Sequence, residues 1–220
     1  MHTYITNIEE NPAIGLFAFA NDKFCLVKRG IKESLLKKFE EVLKVPCYEI
    51  KVMDSDLIGV FLAGNNDFLI SPNLNEEELS SLKEICEKHK VKLILSNAVQ
   101  NAFGNNIIVS NSKIIVNQDY SEDEIKFLSK ETNLEVVKIK TEITAIGSLI
   151  KLNSKGGICG TYKEEFEKLL NLKLEQGTVL HGSIFVSIGI IANSNGFISS
   201  RNNTGIEIAQ IDEALGFVNL

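Results

Sequence analysis

An α/β ring of five strand–strand–helix–strand units is the fold that the sequence predicts, on three observations. A bulky apolar residue followed by glycine recurs about every 44 residues. Each of these pairs opens the same succession of apolar and polar segments. The chain also begins with a surplus strand and ends one strand short. Repeats of this period are typical of supersecondary units that pack against their neighbours. The pairs are Ile14-Gly15, Ile58-Gly59, Phe103-Gly104, Ile146-Gly147 and Ile188-Gly189.

The two strands that follow each glycine are predicted to form a hairpin. An asparagine in a polar cluster comes six or seven residues after each glycine, at Asn21, Asn65, Asn111, Asn153 and Asn195. Asn and Gly tolerate positive φ, so these clusters are typical of hairpin turns. The second strands are KFCLV, DFLIS, KIIVN, GGICG and GFISS, and the third strands are YEIKV, KLILS, EVVKIK and GTVLHGSIFV.

An amphipathic helix is predicted between the second and third strands of each unit. In the first unit Leu35, Phe39, Val42 and Leu43 recur at helical spacing. Acidic residues open several of these segments, as the helix dipole favours. The corresponding apolar positions in the other units are Leu79, Leu82, Ile85, Cys86, Ile125, Leu128, Phe166, Leu169, Leu170, Ile208, Ile211 and Leu215.

The two ends of the chain predict that the ring is closed. The fifth unit stops at GFVNL without room for a third strand, whereas residues 3–8, TYITNI, precede Gly15 where other units keep theirs. A closed ring leaves no unpaired edge at the seam. An open solenoid, the alternative, would need capping ends. We therefore expect one domain over residues 1–220, with units beginning near the five glycines and residues 3–8 completing the fifth.

Composition limits the classes of function. The net charge of −6 disfavours a protein that coats nucleic acid and suits a basic protein partner. No stretch approaches the roughly 20 apolar residues of a membrane helix, and no secretion signal precedes the first unit, so we expect a cytoplasmic protein. The scattered cysteines, Cys25, Cys47, Cys86 and Cys159, are interpreted as small buried apolar residues.

No constellation of residues predicts catalysis. A ring of five such units is similar to the pentein fold of the guanidine-modifying enzymes, which use a cysteine in the last unit with a histidine and carboxylates. Residues 187–220 contain no cysteine, and His2, His89 and His181 are expected at the N-terminus, in a helix and in a strand. No metal-ligand spacing or phosphate-binding loop is present. We expect no enzyme activity, no cofactor and no metal.

The whole chain resembles the translation initiation factor six family, the ribosome anti-association factors of archaea and eukaryotes. The stretches that carry the resemblance are IGLFAFANDKFCLV, LIGVFLAGNNDFLISP, AFGNNIIVSNSKIIV, TEITAIGSLIKLNSKGGI and QGTVLHGSIFVSIGIIANSNGF. Five such stretches in order at the family's spacing are more specific than any one of them.

The resemblance implies a stoichiometric binder of the large ribosomal subunit. Such factors contact a basic ribosomal protein on the intersubunit face, close to the sarcin–ricin loop, and block joining of the small subunit. They act in initiation and in maturation of the large subunit, and an elongation-factor-two-like GTPase takes part in their release. We expect a monomer that binds neither membrane nor DNA. The chain ends at Leu220, so regulation through a long C-terminal tail is not expected.

The resemblance also implies ribosome-binding residues near the glycine turns. Asn105, just after Gly104, is the first candidate, and Val60, Asn65 and Ser148 are further candidates. Eukaryotic members often carry a basic residue where this chain has Val60. The glycines themselves are interpreted as residues of tight turns, where a Cβ would not fit. They are Gly15, Gly59, Gly104, Gly147 and Gly189. The alternatives are a pentein that holds a small ligand in its channel and a guanidine-modifying enzyme without its usual cysteine.

Overall fold

The computed structural model describes residues 2–218; residue 1 and residues 219–220, the last two of the GFVNL tail, lie outside the described part. The strands are β1 Thr3–Thr6, β2 Ala18–Ala20, β3 Cys25–Lys28, β4 Cys47–Ile50, β5 Ala63–Gly64, β6 Phe68–Pro72, β7 Lys92–Ser96, β8 Ile107–Val109, β9 Lys113–Asn117, β10 Glu135–Ile139, β11 Ile150–Leu152, β12 Gly157–Cys159, β13 Glu175–Gln176, β14 Ile190–Ala192 and β15 Phe197–Ser200. They form five three-stranded sheets with the orders β2-β3-β4, β5-β6-β7, β8-β9-β10, β11-β12-β13 and β14-β15-β1.

Each unit holds one short and one long helical segment. A four-residue helical turn, here called an axial turn, precedes the first strand, and a long helix connects the second strand to the third. The axial turns are Ile14–Phe17, Ile58–Phe61, Phe103–Asn106, Ile146–Leu149 and Val186–Gly189. The long helices are Glu33–Leu43, Glu76–Lys88, Glu122–Thr132, Lys163–Leu170 and Gly205–Ala214.

The N-terminal strand closes the ring, as predicted. β1 pairs in parallel with β15, with Thr3 opposite Phe197 and Thr6 opposite Ser200. In every unit the middle strand pairs antiparallel with the first strand and parallel with the third. β1 thus takes the position of the missing third strand of the fifth unit. The α/β ring of strand–strand–helix–strand units is confirmed.

The core is divided into five apolar clusters, each of which spans two neighbouring units. Cys25 and Val27 of β3 pack into one cluster, whereas Leu26 between them packs into the next. Alternate side chains of a strand point to opposite faces of its sheet, so both faces of each middle strand are buried. Phe19 of the first unit packs with Ile58 of the second. Each unit therefore depends on the next one for part of its core.

The long helices begin where side chains cap their free N–H groups. Asn75, Ser121 and Thr204 accept hydrogen bonds from the backbone N–H three residues later, and the glutamate there caps in return. These capping boxes fix three of the five helix starts. Thr204, the last residue of the NNT segment, is the cap of the last long helix. In each unit the first strand runs from the axial turn to the hairpin turn, and the second strand runs back. The long helix therefore begins at the end of the ring that holds the axial turns, here called the axial-turn end. The hairpin turns lie at the opposite end, here called the hairpin end.

Two predicted segments of the last two units were wrong. The third strand of the fourth unit is only Glu175–Gln176, ahead of the predicted GTVLHGSIFV. That segment instead turns sharply, with Val179 bridged to Ser183 and with Leu180 and His181 at positive φ. His181 therefore lies in an exposed turn and not in a strand.

The repeat register of the fifth unit was also wrong by two residues. The second residue of the fifth axial turn is Ser187, whereas Gly189 ends that turn. A Cβ added to Gly189 would meet the side chain of Val179 rather than a neighbouring axial turn. The apolar-glycine pair at Ile188 is thus a chance likeness to the other four.

Candidate functional site

The axial turns contact one another in a ring around the central axis. A Cβ added to Gly59 would overlap the carbonyl oxygen of Gly15, and the same holds for Gly104 against Gly59 and for Gly147 against Gly104. The ring closes where Gly15 meets the carbonyl of Ser187. These glycines are required by close backbone approach and not by positive φ. The five turns therefore form one rigid surface at this end of the molecule.

Three of the four predicted site residues lie at equivalent positions of this ring. Val60, Asn105 and Ser148 are each the third residue of an axial turn. The Ser148 hydroxyl donates a hydrogen bond of 2.9 Å to Oδ1 of Asn105. Ser148 is only 5% exposed, whereas Asn105 and Val60 are half-buried. Among these three residues, Asn105 is thus the accessible polar group, and the hydrogen bond from Ser148 orients its amide.

Asn65, the fourth predicted residue, lies at the opposite end of the ring. Its Oδ1 accepts hydrogen bonds from the backbone N–H groups of Asp67 and Phe68, which closes the second hairpin turn. Its amide nitrogen donates to the carbonyl of Ser110 in the next unit, at 3.1 Å. Asn65 is separated from the other three candidates by the length of a strand, and its hydrogen bonds are structural.

Asn65 belongs to a ladder of side chains that joins the hairpin turns. The amide of Asn193 donates to the carbonyl of Asn21, at 3.0 Å, and Asn21 donates to that of Asn65, at 2.9 Å. The amide of Asn153 donates to the carbonyl of Asn193, at 3.2 Å. In the third and fifth units the residues that open the hairpin are Ser110 and Asn193, and not the predicted Asn111 and Asn195.

The ladder lacks one rung, between the third and fourth units. The Ser110 hydroxyl accepts from two backbone N–H groups of its own turn, as the asparagines do, but it donates to the carbonyl of Lys113. A hydroxyl is too short to reach the carbonyl of Asn153 in the next unit. Among the described residues, no side chain donates to that carbonyl.

The two ends of the ring differ in charge. The axial-turn end carries the helix N-termini and the turns that precede the axial turns, where exposed carboxylates outnumber exposed basic groups. The carboxylates there are Glu9, Glu10, Glu33, Asp54, Glu76, Glu77, Glu122, Asp123, Glu142, Glu164 and Glu165, and the exposed basic groups are Arg29, Lys32, Lys138, Lys140 and Arg201. The hairpin end carries the helix C-termini with the exposed basic residues Lys44, Lys88, Lys90, Lys130, Lys155 and Lys168, beside fewer exposed carboxylates such as Asp67, Glu87 and Glu213. The charges thus favour the helix dipoles at both ends, except at the last helix, whose final turn holds Glu213 and no basic residue.

A channel runs along the axis between the two ends. Its inner part, about 120 Å³, is lined by the axial glycines and the first strands and includes Lys151. An outer cup of about 240 Å³ lies among the hairpin turns. The two cavities share Ala20, Gly64, Val109 and Leu152, so the inner channel opens through the cup.

Sequence reasoning missed Lys151. It is the middle residue of β11, and the corresponding residues of the other first strands are Phe19, Ala63, Ile108 and Ile191. A lysine inside the apolar run IKL was the signal that could have found it. Burial lowers the pKa of Lys151 to about 8, because desolvation disfavours the charged amine.

Metal-ligand clusters and membrane-spanning helices are both absent from the described part of the chain. Over residues 2–218, no group of three or more His, Cys, Asp or Glu side chains is arranged to hold a metal ion. None of the helices within those residues is both long enough and apolar enough to cross a membrane.

Comparison with known proteins identifies the family. A family model described as the eIF-6 family matches residues 3–214. The chain belongs to the eIF-6 family. The translation initiation factor 6 of Pyrococcus horikoshii is 31% identical over 227 residues, 99% of this chain and all of that protein. That of Saccharolobus islandicus is 30% identical over 212 residues, covering 92% of this chain and 94% of the relative.

Solved structures show the fold independently of the family. A dimethylarginine dimethylaminohydrolase adduct with S-methyl-L-thiocitrulline aligns with a TM-score of 0.52 at 13% identity, covering 80% of this chain and 75% of that one. At this identity the likeness concerns the pentein fold alone. The eIF-6 family name indicates a translation factor, not an enzyme, and it supports a role in translation initiation.

Proposed function

We propose that this eIF-6 family member binds the large ribosomal subunit on its intersubunit face and thereby prevents association with the small subunit. The mechanism is steric, because two bodies cannot occupy one surface. The family match over nearly the whole chain supports this proposal. The observation that carries it at the level of residues is the hydrogen-bonded pair of Asn105 and Ser148 in the acidic axial-turn end.

The axial-turn end is the docking surface in this proposal. Its rigid ring of turns presents Asn105 and the apolar side chain of Val60 at the centre of an acidic rim. Such a rim attracts a basic surface and steers the encounter, and the central groups then give specificity. The partner there is a basic ribosomal protein close to the sarcin–ricin loop. The same complex serves in large-subunit maturation in the cytoplasm, where an elongation-factor-two-like GTPase releases the factor, which acts as a monomer.

Co-sedimentation with isolated large and small ribosomal subunits tests the proposal. We expect the protein to pellet with the large subunit alone, more weakly at higher salt, and to suppress subunit joining. Asn105→Ala should weaken binding roughly tenfold, as loss of a buried hydrogen bond at the interface does. Asn111→Ala, which removes an exposed asparagine at the hairpin end, is the matched control and should bind as the unaltered protein does.

Three results would contradict the proposal. Pelleting with the small subunit, or with neither, would reject the function. Full binding by Asn105→Ala together with weak binding by Asn111→Ala would move the docking surface to the hairpin end. Thermal unfolding of both variants separates a binding defect from misfolding. We expect the Tm of each variant to lie within a few degrees of that of the unaltered protein.

A further inference from the structure

Lys151 places a charged group in the inner part of the channel, whose other lining residues are uncharged. The carboxylate of Asp22, by contrast, lines the outer cup and accepts hydrogen bonds there from Asn66 and Ser194. The inner lining otherwise consists of glycine, alanine and larger apolar residues, with Ser187 at the axial turns. The four residues that correspond to Lys151 in the other units are apolar. A lysine whose methylene groups only cover apolar core residues would direct its amine to solvent at the outer surface of the protein. Lys151 instead lies on the axis-facing side of the ring.

Nothing in the described part of the chain neutralises this amine. Over residues 2–218, Lys151 Nζ makes no ion pair, and no hydrogen bond from it falls within the usual limits. The ionisable neighbour that acts on it is the thiol of Cys25. A hydrogen bond with Cys47, and then burial, raise the pKa of Cys25 well above its ordinary value, so the thiol carries no charge at neutral pH. Lys151 is half-buried in the channel, and a charge that is partly withdrawn from water without a partner is costly.

The channel has room for a counter-charge and a route for its entry. The inner cavity of about 120 Å³ holds a few water-sized groups, and the cup of about 240 Å³ connects it to solvent at the hairpin end. The axial turns narrow the other end, since their backbones are in contact. An occupant must therefore be small and must arrive through the cup.

We propose that the axial channel binds a small monovalent anion, a halide or a carboxylate no larger than acetate, on the ammonium group of Lys151. The anion replaces the missing carboxylate partner of the lysine and lies between the first strands of the ring. Because it reaches Lys151 from the hairpin end, it can be bound while the axial-turn end is occupied. The proposal concerns the isolated protein and does not rest on ribosome binding.

Bromide identifies the site directly. Crystals of the full chain soaked in sodium bromide should show an anomalous peak within hydrogen-bond distance of Lys151 Nζ. The peak should be absent from Lys151→Met crystals treated in the same way. Water alone at the amine in bromide-soaked crystals of the unaltered protein would overturn the proposal, whether or not any variant folds.

Thermal unfolding in solution tests the same site with other anions. At constant ionic strength, replacing gluconate, which is too large to enter, by chloride or acetate should raise the Tm by roughly 2–4 °C, because the anion binds only the folded state. Lys151→Met, or Lys151→Gln if the first variant does not fold, should lose this rise. Lys168→Met removes an exposed lysine of the same unit and should keep it. An equal rise in the Lys151 and Lys168 variants would show a general salt effect and reject the site.

Discussion

The two ends of the ring hold their five units together by different means. At the axial-turn end backbone meets backbone, and four glycines provide the room. At the hairpin end side chains bridge the units, and four asparagine amides donate to carbonyls of the following unit. The four glycine positions leave no room for a Cβ, and only the fifth turn has another residue there, Ser187. The hairpin end tolerates the loss of a rung, as Ser110 shows. The difference teaches that close backbone contact restricts the residue type more strictly than side-chain bridging does.

The largest effect should come from adding one methyl group to the axial-turn end. Gly59→Ala would drive a Cβ into the carbonyl oxygen of Gly15, and neither backbone can yield without opening the ring. We expect a loss of more than about 3 kcal/mol in the free energy of unfolding, measured by denaturant titration.

Gly205→Ala is the matched control for that substitution. Gly205 opens the last long helix, and a Cβ there would meet no atom within 4 Å. Because alanine is the better helix former, this variant should be neutral or more stable by up to about 1 kcal/mol. Equal stability of the two alanine variants would refute the close contact between axial turns.

Between the two ends, Lys151 should make stability depend on pH. Its folded pKa of about 8 lies below the ordinary 10.5, so between these values the unfolded chain binds more protons and stability rises with pH. In gluconate, Lys151→Met should remove this rise and add roughly 2–3 kcal/mol to the free energy of unfolding at pH 7. Denaturant titrations at pH 7 and pH 10 measure this dependence, and a pH-independent difference between the two proteins would argue against a desolvated lysine.

Removing a rung from the hairpin end should cost less than adding a methyl group at the other end. The Asn193 amide donates to the carbonyls of Asn21 and Leu43, and all of these groups are buried or half-buried. Asn193→Ala should lower the free energy of unfolding by about 2 kcal/mol, since the buried carbonyl of Asn21 loses its donor. The turn N–H groups of Asn195 and Gly196 also lose their acceptor, whereas the Leu43 carbonyl keeps the amide of Asn195 as a donor. In the same assay Asn111→Ala should change it by less than about 0.5 kcal/mol, as exposed positions do. Equal losses would show that the ladder does not stabilise the ring.

Restoring the missing rung should give the smallest effect, with the opposite sign. In Ser110→Asn the side-chain oxygen can accept from the same turn N–H groups, and the amide can reach the carbonyl of Asn153. We expect a gain of about 1 kcal/mol, the net value of one hydrogen bond. Denaturant titration beside the unaltered protein measures it, and a loss would mean that the gap between the third and fourth units is too wide for an amide to bridge.

The local pattern of the sequence was enough to predict most elements. The first long helix was predicted from the helical spacing of Leu35, Phe39, Val42 and Leu43. The strand that closes the ring was predicted from the segment TYITNI at the start of the chain. Of the four candidate site residues, Asn105, Val60 and Ser148 lie at equivalent positions of the axial turns, whereas Asn65 lies at the hairpin end. The family resemblance placed all four near the glycine turns, and a strand of only a few residues separates the two ends.

The periodic sequence by itself determined that five similar units form a ring. The spacing of apolar residues and the turn residues specify each helix, strand and hairpin through interactions between residues that are close in sequence. Only the tertiary structure decided the register of the fifth unit, where Ser187 and not Gly189 meets the neighbouring turn. It also decided that Ser148 holds Asn105, that Ser110 breaks the ladder and that Lys151 faces the channel. These relations join residues about 40 positions apart, and their cause is which backbones and side chains meet when the ring closes.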